Sequence, residues 1–412
     1  MDSRANEIQK WMKEIMASKG ISNYKVQLAD TTAKGDGYVG DIIFLKVTAD
    51  GGSDNEKVYD MVIKTAKEDD KLREACPIGD AYLREITVYK EIFPVLEAFQ
   101  EEYAVKKRFS HYAKVYKSIT EDKKETLIMQ NMKSLGFELH DRTVPQNTDH
   151  LLFVYRTYAK LHGASLALKA KKPEVFRQLS AIMQDAFTAF FTESQLLRSI
   201  QLSHVNALKL LRKNGLEHMA RKIEQATGSM EEMIKSMSVL NGKDDEKEGV
   251  IVHGDCWNSN MMFKYKDGDK SRPIDIIYLD FQLSRVTTPI VDLSYYLYSV
   301  ADKPDLDRID YLFEEYHKEL TEYLRQYGLN ADDFYTLERL KTSWRTYGLF
   351  GLGLGTFLTR VQLCKDDEVM DLTGSIADGS MIVDEFPDIE KQEECDRRVL
   401  NLHKHFYERF LM

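Results

Sequence analysis

The chain has 412 residues, a formal net charge of -10 at pH 7, and 43% hydrophobic with 11% aromatic residues. That content supplies a sizeable core and excludes an intrinsically disordered chain. The acidic balance argues against a general nucleic-acid binder, which needs a basic face.

At the N-terminus, MDSRANEIQKWMKEIMASKG lacks the apolar core of a signal peptide, and Ile8, Trp11, Met12, Ile15 and Met16 recur at helical spacing. YKVQLA, the β-branched run after TTAKGDGYVG, and KVYDMVIKTA read as strands, so residues up to about 66 form a β-meander. KLREACPIGDAYLREITVYKEIFPVLEAF reads as helix, broken at Pro77-Ile78-Gly79 and stopped near Pro94. HYAKVYKSI and TLIMQNM add two strands, giving a sheet of about five with a helix inserted after the Lys64 strand.

From about residue 133 the pattern turns helical, through LLFVYRTYAKLHGASLAL and the tract from Pro173 to Leu240. VIVHGDCWNSNMMF then reads as strand, loop, strand, KYKDGDKSRP as a hairpin turn, and IDIIYLDFQL as the returning strand. Pro289 to Met412 is helical again. Its most apolar tract, TYGLFGLGLGTFLT, is shorter than the roughly 20 residues of a bilayer span, and its glycines suit close helix packing. Cys76, Cys256, Cys364 and Cys395 are scattered without a CxxC pair, which implies neither a zinc site nor a disulfide frame. A β-rich part followed by an α-rich part predicts an α+β molecule with two lobes, residues 1–132 and 133–412, in a soluble intracellular protein.

Gly35, Gly37 and Gly40 form a GxGxxG in a strand-turn-strand context, where backbone N–H groups can approach phosphates because no Cβ intervenes; turn geometry alone also asks for glycine there. Lys64 ends an apolar strand run, and Glu85 lies on the following helix, where its apolar neighbours make it a better inward candidate than Glu91. Such a pair would aim an ammonium at phosphate oxygens. His253, Asp255 and Asn260 fit H-x-D-x-x-x-x-N, in which the Asp takes up a hydroxyl proton and the Asn holds a metal. Asp280 ends the returning strand, and with Asn260 it supplies oxygen ligands for a hard cation. Each motif alone competes with a bland reading; their chain order is what makes a Mg-phosphate site.

These residues resemble the protein-kinase-like fold, and within it the small-molecule kinases of the choline and aminoglycoside type, above all the insect ecdysteroid kinase-like family. HGDCWNSNMMF, IIYLDFQ, PIVDLSYYL, REITVYKEIFP and KLHGASLAL carry the resemblance, which extends from about residue 20 to 400. It implies a small β-rich N-lobe and a large helical C-lobe, with ATP and Mg as cofactors. Asp255 would be the catalytic base, Asn260 and Asp280 the metal ligands, Lys64 and Glu85 the phosphate clamp, and Gly35, Gly37 and Gly40 the phosphate cover. His253 and Asp292 would brace the loop. The segment Ile128 to Met132 would meet adenine, through Gln130 and Met132, although relatives usually carry Glu-Asp where Gln130-Asn131 stand. Asp280 and Asp292 stand too close for the activation segment of a protein kinase, and no Ala-Pro-Glu follows. The implied activity is phosphorylation of a hydroxyl on a small molecule, an ecdysteroid or another steroid or xenobiotic alcohol, by a cytoplasmic monomer that binds no nucleic acid and inserts in no membrane. A nucleotide-binding pseudokinase and a choline-kinase-like enzyme are the alternatives.

Overall fold

One stripe of the first helix accounts for one face of the sheet. In the computed structural model, which describes residues 2–31, 40–49, 56–183, 188, 191, 196–238, 247–365, 368 and 386–412, α1 (Asp2–Ser18) buries Ile8, Trp11, Met12, Ile15 and Met16 against Leu45, Val47, Met61, Ile63 and Ile128. The strands β1 (Tyr24–Thr31), β2 (Gly40–Ala49), β3 (Lys57–Ala66), β4 (Val115–Ile119) and β5 (Thr126–Gln130) form an antiparallel sheet in the order β1-β2-β3-β5-β4. The meander and the inserted helical segment are as the pattern predicts. Successive side chains on a strand face opposite ways. Met61 and Ile63 pack toward α1, so Val62 and Lys64 share the other face, where Val62 meets the large core.

Between β3 and β4 come α2 (Asp70–Ala75), α3 (Ile78–Thr87), a π turn over Val88–Ile92 and α4 (Phe93–Glu102). The break at Pro77 falls as expected. The expected stop near Pro94 is corrected, because the helix runs on to Glu102. Pro94 has no N–H, and its ring would crowd the Lys90 carbonyl in a regular α register. The π turn, in which the Phe93 N–H bonds the Val88 carbonyl, shifts the register at that point.

Past β5 helices dominate. After β6 (Glu138–Leu139) come α5 (Thr148–Lys171), α6 (Pro173–Ile182), α7 (Leu196–Lys213), α8 (Glu217–Thr227) and α9 (Met230–Ser238). Then follow β7 (Val250–Val252), β8 (Met261–Lys266), β9 (Asp269–Tyr278) and β10 (Arg285–Thr287). The chain ends in α10 (Ile290–Val300), α11 (Lys303–Leu306), α12 (Ile309–Arg325), α13 (Leu337–Leu363) and α14 (Gln392–Phe406). The architecture is a mixed, largely helical α+β fold.

The strands flanking the 253–260 loop belong to different sheets. β7 pairs with β10, whereas β8 pairs with β9 and β6, so the loop bridges two small sheets. β6 and β10 are too short for the sequence pattern to announce. Asp267 and Gly268 both have positive φ (53° and 76°), the two-residue turn that a right-twisted hairpin prefers. β9 stops at Tyr278, so Asp280 lies just past the strand rather than ending it.

The glycines of α13 have the predicted use. A Cβ on Gly351 would stand 2.3 Å from the Ser294 carbonyl carbon, and one on Gly355 2.3 Å from the Tyr298 carbonyl oxygen. Their absence lets α13 press directly onto the α10 backbone. Among the described residues no helix is long and apolar enough to cross a membrane. All four cysteines are buried and unpaired.

Candidate active site

Lys64 lies in β3 opposite Ile42 and Leu127. Its Nζ is 2.6 Å from Glu85 Oε2 on α3 and 3.0 Å from Asp280 Oδ1. Glu85 is fully buried, while the rival Glu91 is exposed. Burial drives Lys64 toward its neutral form, but Asp280 and Glu85 together outweigh it and raise the pKa, so the ammonium stays charged. Burial raises the Glu85 carboxyl, Lys64 lowers it and Asp280 raises it; the ammonium 2.6 Å away holds the two as an ion pair.

One helical turn before Glu85, the Tyr82 ring lies 5.3 Å from Lys64 Nζ, within cation–π range. Among the described residues the buried Tyr82 hydroxyl has no hydrogen-bond partner. It stands 1.8 Å from where a Cβ on Gly40 would be, so Gly40 is glycine because the phenol needs that space.

The 253–260 loop is held from three sides. Asp292, in the first turn of α10, accepts hydrogen bonds from the His253 N–H (2.8 Å) and the Gly254 N–H (2.9 Å). It also accepts from His162 Nε2 (3.1 Å) and Cys256 Sγ (3.0 Å). Burial alone would raise the Asp292 carboxyl, but these donors, His162 foremost, bring it below its usual value. His253 accepts the Asp255 N–H at Nδ1 (3.2 Å), which leaves Nε2–H to donate to the Leu279 carbonyl (2.8 Å). Burial lowers its pKa, consistent with a neutral ring in that tautomer. Gly254, at φ 88°, could carry no side chain, since a Cβ would meet the Leu283 carbonyl oxygen at 2.2 Å.

Asp255 takes one donor on each oxygen: the Tyr295 hydroxyl at Oδ1 (2.8 Å) and Asn260 Nδ2 at Oδ2 (2.7 Å). Burial, then the Asp280 charge, raises its pKa to about 7 against those hydrogen bonds. Asp280 sits in the left-handed region (φ 64°, ψ 66°), a conformation that costs a non-glycine residue about 1 kcal/mol and that short polar side chains tolerate best. The Leu279 N–H bonds the Asn260 carbonyl (2.9 Å), continuing the β8–β9 ladder by one residue, and the chain turns at Asp280, whose carboxylate lies 3.0 Å from Lys64 Nζ.

The structure thus brings Lys64, Glu85, His253, Asp255, Asn260 and Asp280 together. Gln130 and Met132 lie at the end of β5: the Gln130 N–H bonds the Lys114 carbonyl (2.8 Å), and Met132 is buried. Gly35 and Gly37 lie outside the described residues. Asn258, unassigned from sequence, accepts from Gln146 Nε2 (2.6 Å) and donates to the His140 carbonyl (2.8 Å), so it ties the loop to the chain before α5. Tyr295 and Tyr82 were not among the sequence candidates. Tyr295 had a signal, since it lies three residues past Asp292 on the same helix face.

As a cation site the group has the right balance. Glu85 and Asp280 pair with Lys64, and Asp255 stands near enough to feel the Asp280 and Lys64 charges, which makes three carboxylates to one ammonium among these described side chains. Among the described residues no three or more His, Cys, Asp or Glu side chains form a ready-made metal cluster. An amide oxygen, substrate phosphates and water would complete a Mg shell, as that ion's preference for few protein ligands requires. A cleft of about 400 Å³ between α5 and α12, lined by Arg156, Lys160, Glu315 and Glu319 among others, includes none of these residues.

A family model described as the ecdysteroid kinase-like family matches residues 34–329. No curated protein matches the chain.

Proposed function

The chain belongs to the ecdysteroid kinase-like family, and from that premise we propose that it transfers the γ-phosphoryl group of ATP, with Mg, to a hydroxyl of a small molecule. The family makes it a small-molecule kinase in general terms, with ATP as the general phosphate donor. The proposed acceptor is an ecdysteroid or another steroid or xenobiotic alcohol, and the proposed setting a cytoplasmic monomer with lobes 1–132 and 133–412 meeting near Met132.

The observation that carries the reading is that Lys64 pairs with Glu85 and Asp280 while the Asp255–Asn260 pair lies close enough for Asp255 to feel the Asp280 and Lys64 charges. In the proposed mechanism Lys64, held charged and aimed by Glu85, binds phosphate oxygens. Asp280 and Asn260 would hold the metal, which would supply neutralisation of the phosphate charge. Asp255 orients the acceptor hydroxyl and takes its proton as the oxygen attacks the γ-phosphorus and the bond to ADP breaks. With the proton acceptor raised to about 7 by burial and by Asp280, the carboxylate is basic enough for that transfer near neutral pH. Most of the rate enhancement comes from positioning and from charge stabilisation.

Transfer of radiolabelled phosphate from ATP to a panel of hydroxylated steroids and xenobiotics tests this. Asp255→Asn is expected to abolish transfer while retaining nucleotide binding. Unchanged turnover in that variant would remove Asp255 as the base. A nucleotide-binding module without turnover is the second reading, favoured by Gln130-Asn131 at the end of β5. A thermal-shift response to Mg-ATP with no transfer to any acceptor would select it.

A further inference from the structure

We propose that Tyr295 is a positioning residue for the Asp255 carboxylate, and that α10 acts as a ruler which sets the catalytic loop against α13. The proposal rests on the reading of Asp255 as the base that faces the acceptor hydroxyl.

Asp292, Tyr295 and Ser299 lie on one face of α10, since residues three and four apart are helical neighbours. Between them they reach four consecutive loop residues, His253 to Cys256. Asp292 takes the backbone N–H groups of His253 and Gly254, Tyr295 donates to Asp255 Oδ1 at 2.8 Å, and Ser299 Oγ, which also bonds the Tyr296 carbonyl of its own helix at 3.0 Å, lies 3.3 Å from the Cys256 carbonyl. One helix face therefore holds the loop backbone at both ends and the acid side chain in between.

The side-chain contact does what the backbone contacts do not. The terminal torsion of an aspartate is broad, so a fixed backbone leaves the carboxylate free to rotate. Asn260 alone would hold one oxygen. Asn260 on Oδ2 and Tyr295 on Oδ1 fix the plane from opposite sides, and each oxygen keeps a lone pair for a further donor. An acceptor hydroxyl then meets a carboxylate of one orientation.

The height of Tyr295 is itself set. Its ring is buried and meets Phe350 of α13 edge-on, with centroids 5.9 Å apart at 87°. The residue before it, Ser294, is the one on which Gly351 rests, 2.3 Å from where a Cβ would stand. The two helices approach closely at the point where the hydroxyl must reach the loop, and a side chain at 351 would move it away.

The bland reading is that a buried tyrosine has merely found a partner for its hydroxyl, as most do. The test separates the two. Tyr295→Phe removes only the hydroxyl; Tyr298→Phe, three residues on, removes a buried hydroxyl that accepts from Trp344 Nε1 (3.3 Å) and touches no loop residue among its described bonds. Steady-state phosphate transfer and a crystal structure of each variant are the readouts. For Tyr295→Phe the expectation is a kcat about 10–100-fold lower with KM for Mg-ATP unchanged, and an Asp255 carboxylate that is rotated or split between orientations. Tyr298→Phe should show neither effect. An Asp255 orientation that stays unaltered in Tyr295→Phe, with kcat retained, overturns the proposal, and so do equal losses in both variants. If the wild-type protein phosphorylates no acceptor, the kinase reading falls, and the orientation of Asp255 still decides the positioning role. Should Tyr295→Phe not fold, Phe350→Leu keeps the hydroxyl but loosens the ring. It is expected to lower kcat in the same direction, and an unchanged kcat there counts against the ruler.

Discussion

Replacing Asp292 by Asn keeps the size of the side chain and turns one of its oxygens into an NH2 group. In the wild-type protein Oδ2 accepts from the His253 N–H and His162 Nε2, and Oδ1 accepts from the Gly254 N–H and Cys256 Sγ. Whichever way the amide turns, two donors face an NH2 that cannot accept them. Leaving a buried donor unsatisfied costs about 1–3 kcal/mol. Two of them, together with the lost charge of a fully buried carboxylate, put the cost at about 3–5 kcal/mol, the range for breaking a buried charged pair. With an unfolding entropy of about 2.1 cal/mol/K per residue over 412 residues, 4 kcal/mol lowers Tm by about 5 °C. Calorimetry on Asp292→Asn is the assay, with phosphate transfer alongside. Transfer should fall further than the melting curve explains, because the two backbone N–H groups that position Asp255 lose their anchor. A Tm within 1 °C of wild type, or full transfer, would refute the argument that Asp292 holds the loop.

Lys64→Met is expected to reduce phosphate transfer by at least about 100-fold and to weaken Mg-ATP binding in a calorimetric titration, since it removes the positive charge that offsets Glu85 and Asp280. Gly355→Ala places a Cβ 2.3 Å from a backbone oxygen that cannot swing away, and should cost about 1–3 kcal/mol in urea unfolding. The third expectation concerns pH. Burial lowers His403 and His405 to about 4, so the folded protein keeps both neutral while the unfolded chain protonates them below about 6.5. Their contribution to stability is therefore complete above about pH 6.5 and is lost as pH falls toward 4, on the order of 2 kcal/mol each by pH 5. Because Asp255, raised to about 7, takes up its proton over the same range with the opposite sign, the check is a comparison of urea midpoints at pH 7 and 5: wild type should lose more stability, or gain less, on acidification than a His403→Gln, His405→Gln variant, and an equal change in both would contradict it.

What the sequence made legible was whatever rests on period and on chemistry carried in order. The stripe of Ile8, Trp11, Met12, Ile15 and Met16 could be placed because a buried helix face repeats, and the Lys64–Glu85 pair because Glu85, with apolar neighbours on the helix after the Lys64 strand, was the inward acid. Pro94 misled for an equally physical reason. A proline breaks an α register, but a single π turn moves the offending carbonyl, and no propensity in ITVYKEIFP signals that turn. β6 and β10, two and three residues long, owe their existence to the partners they pair with rather than to their own residues.

Tyr295 shows where motif reading stops and helix geometry could have continued. H-x-D-x-x-x-x-N names the residues proposed to meet substrate and metal, and of these only Asn260 holds the Asp255 side chain, by one oxygen. The other oxygen is held from a second segment, PIVDLSYYLYS, whose Asp292 alone was read as a brace. Once one residue of a helix is assigned to face a loop, its neighbours at three and seven positions are committed to the same face, whatever their type. A hydroxyl at each of those positions, Tyr295 and Ser299, is then a prediction about the loop and not about the helix. The same logic extends one layer outward. A helix can set a catalytic side chain only if its own height is fixed, and α13 fixes it with Gly351 and Gly355, where any larger residue would lift α10. The glycines read as packing devices for an apolar tract therefore act on the orientation of Asp255, and a substitution there should change turnover even though neither glycine touches the loop.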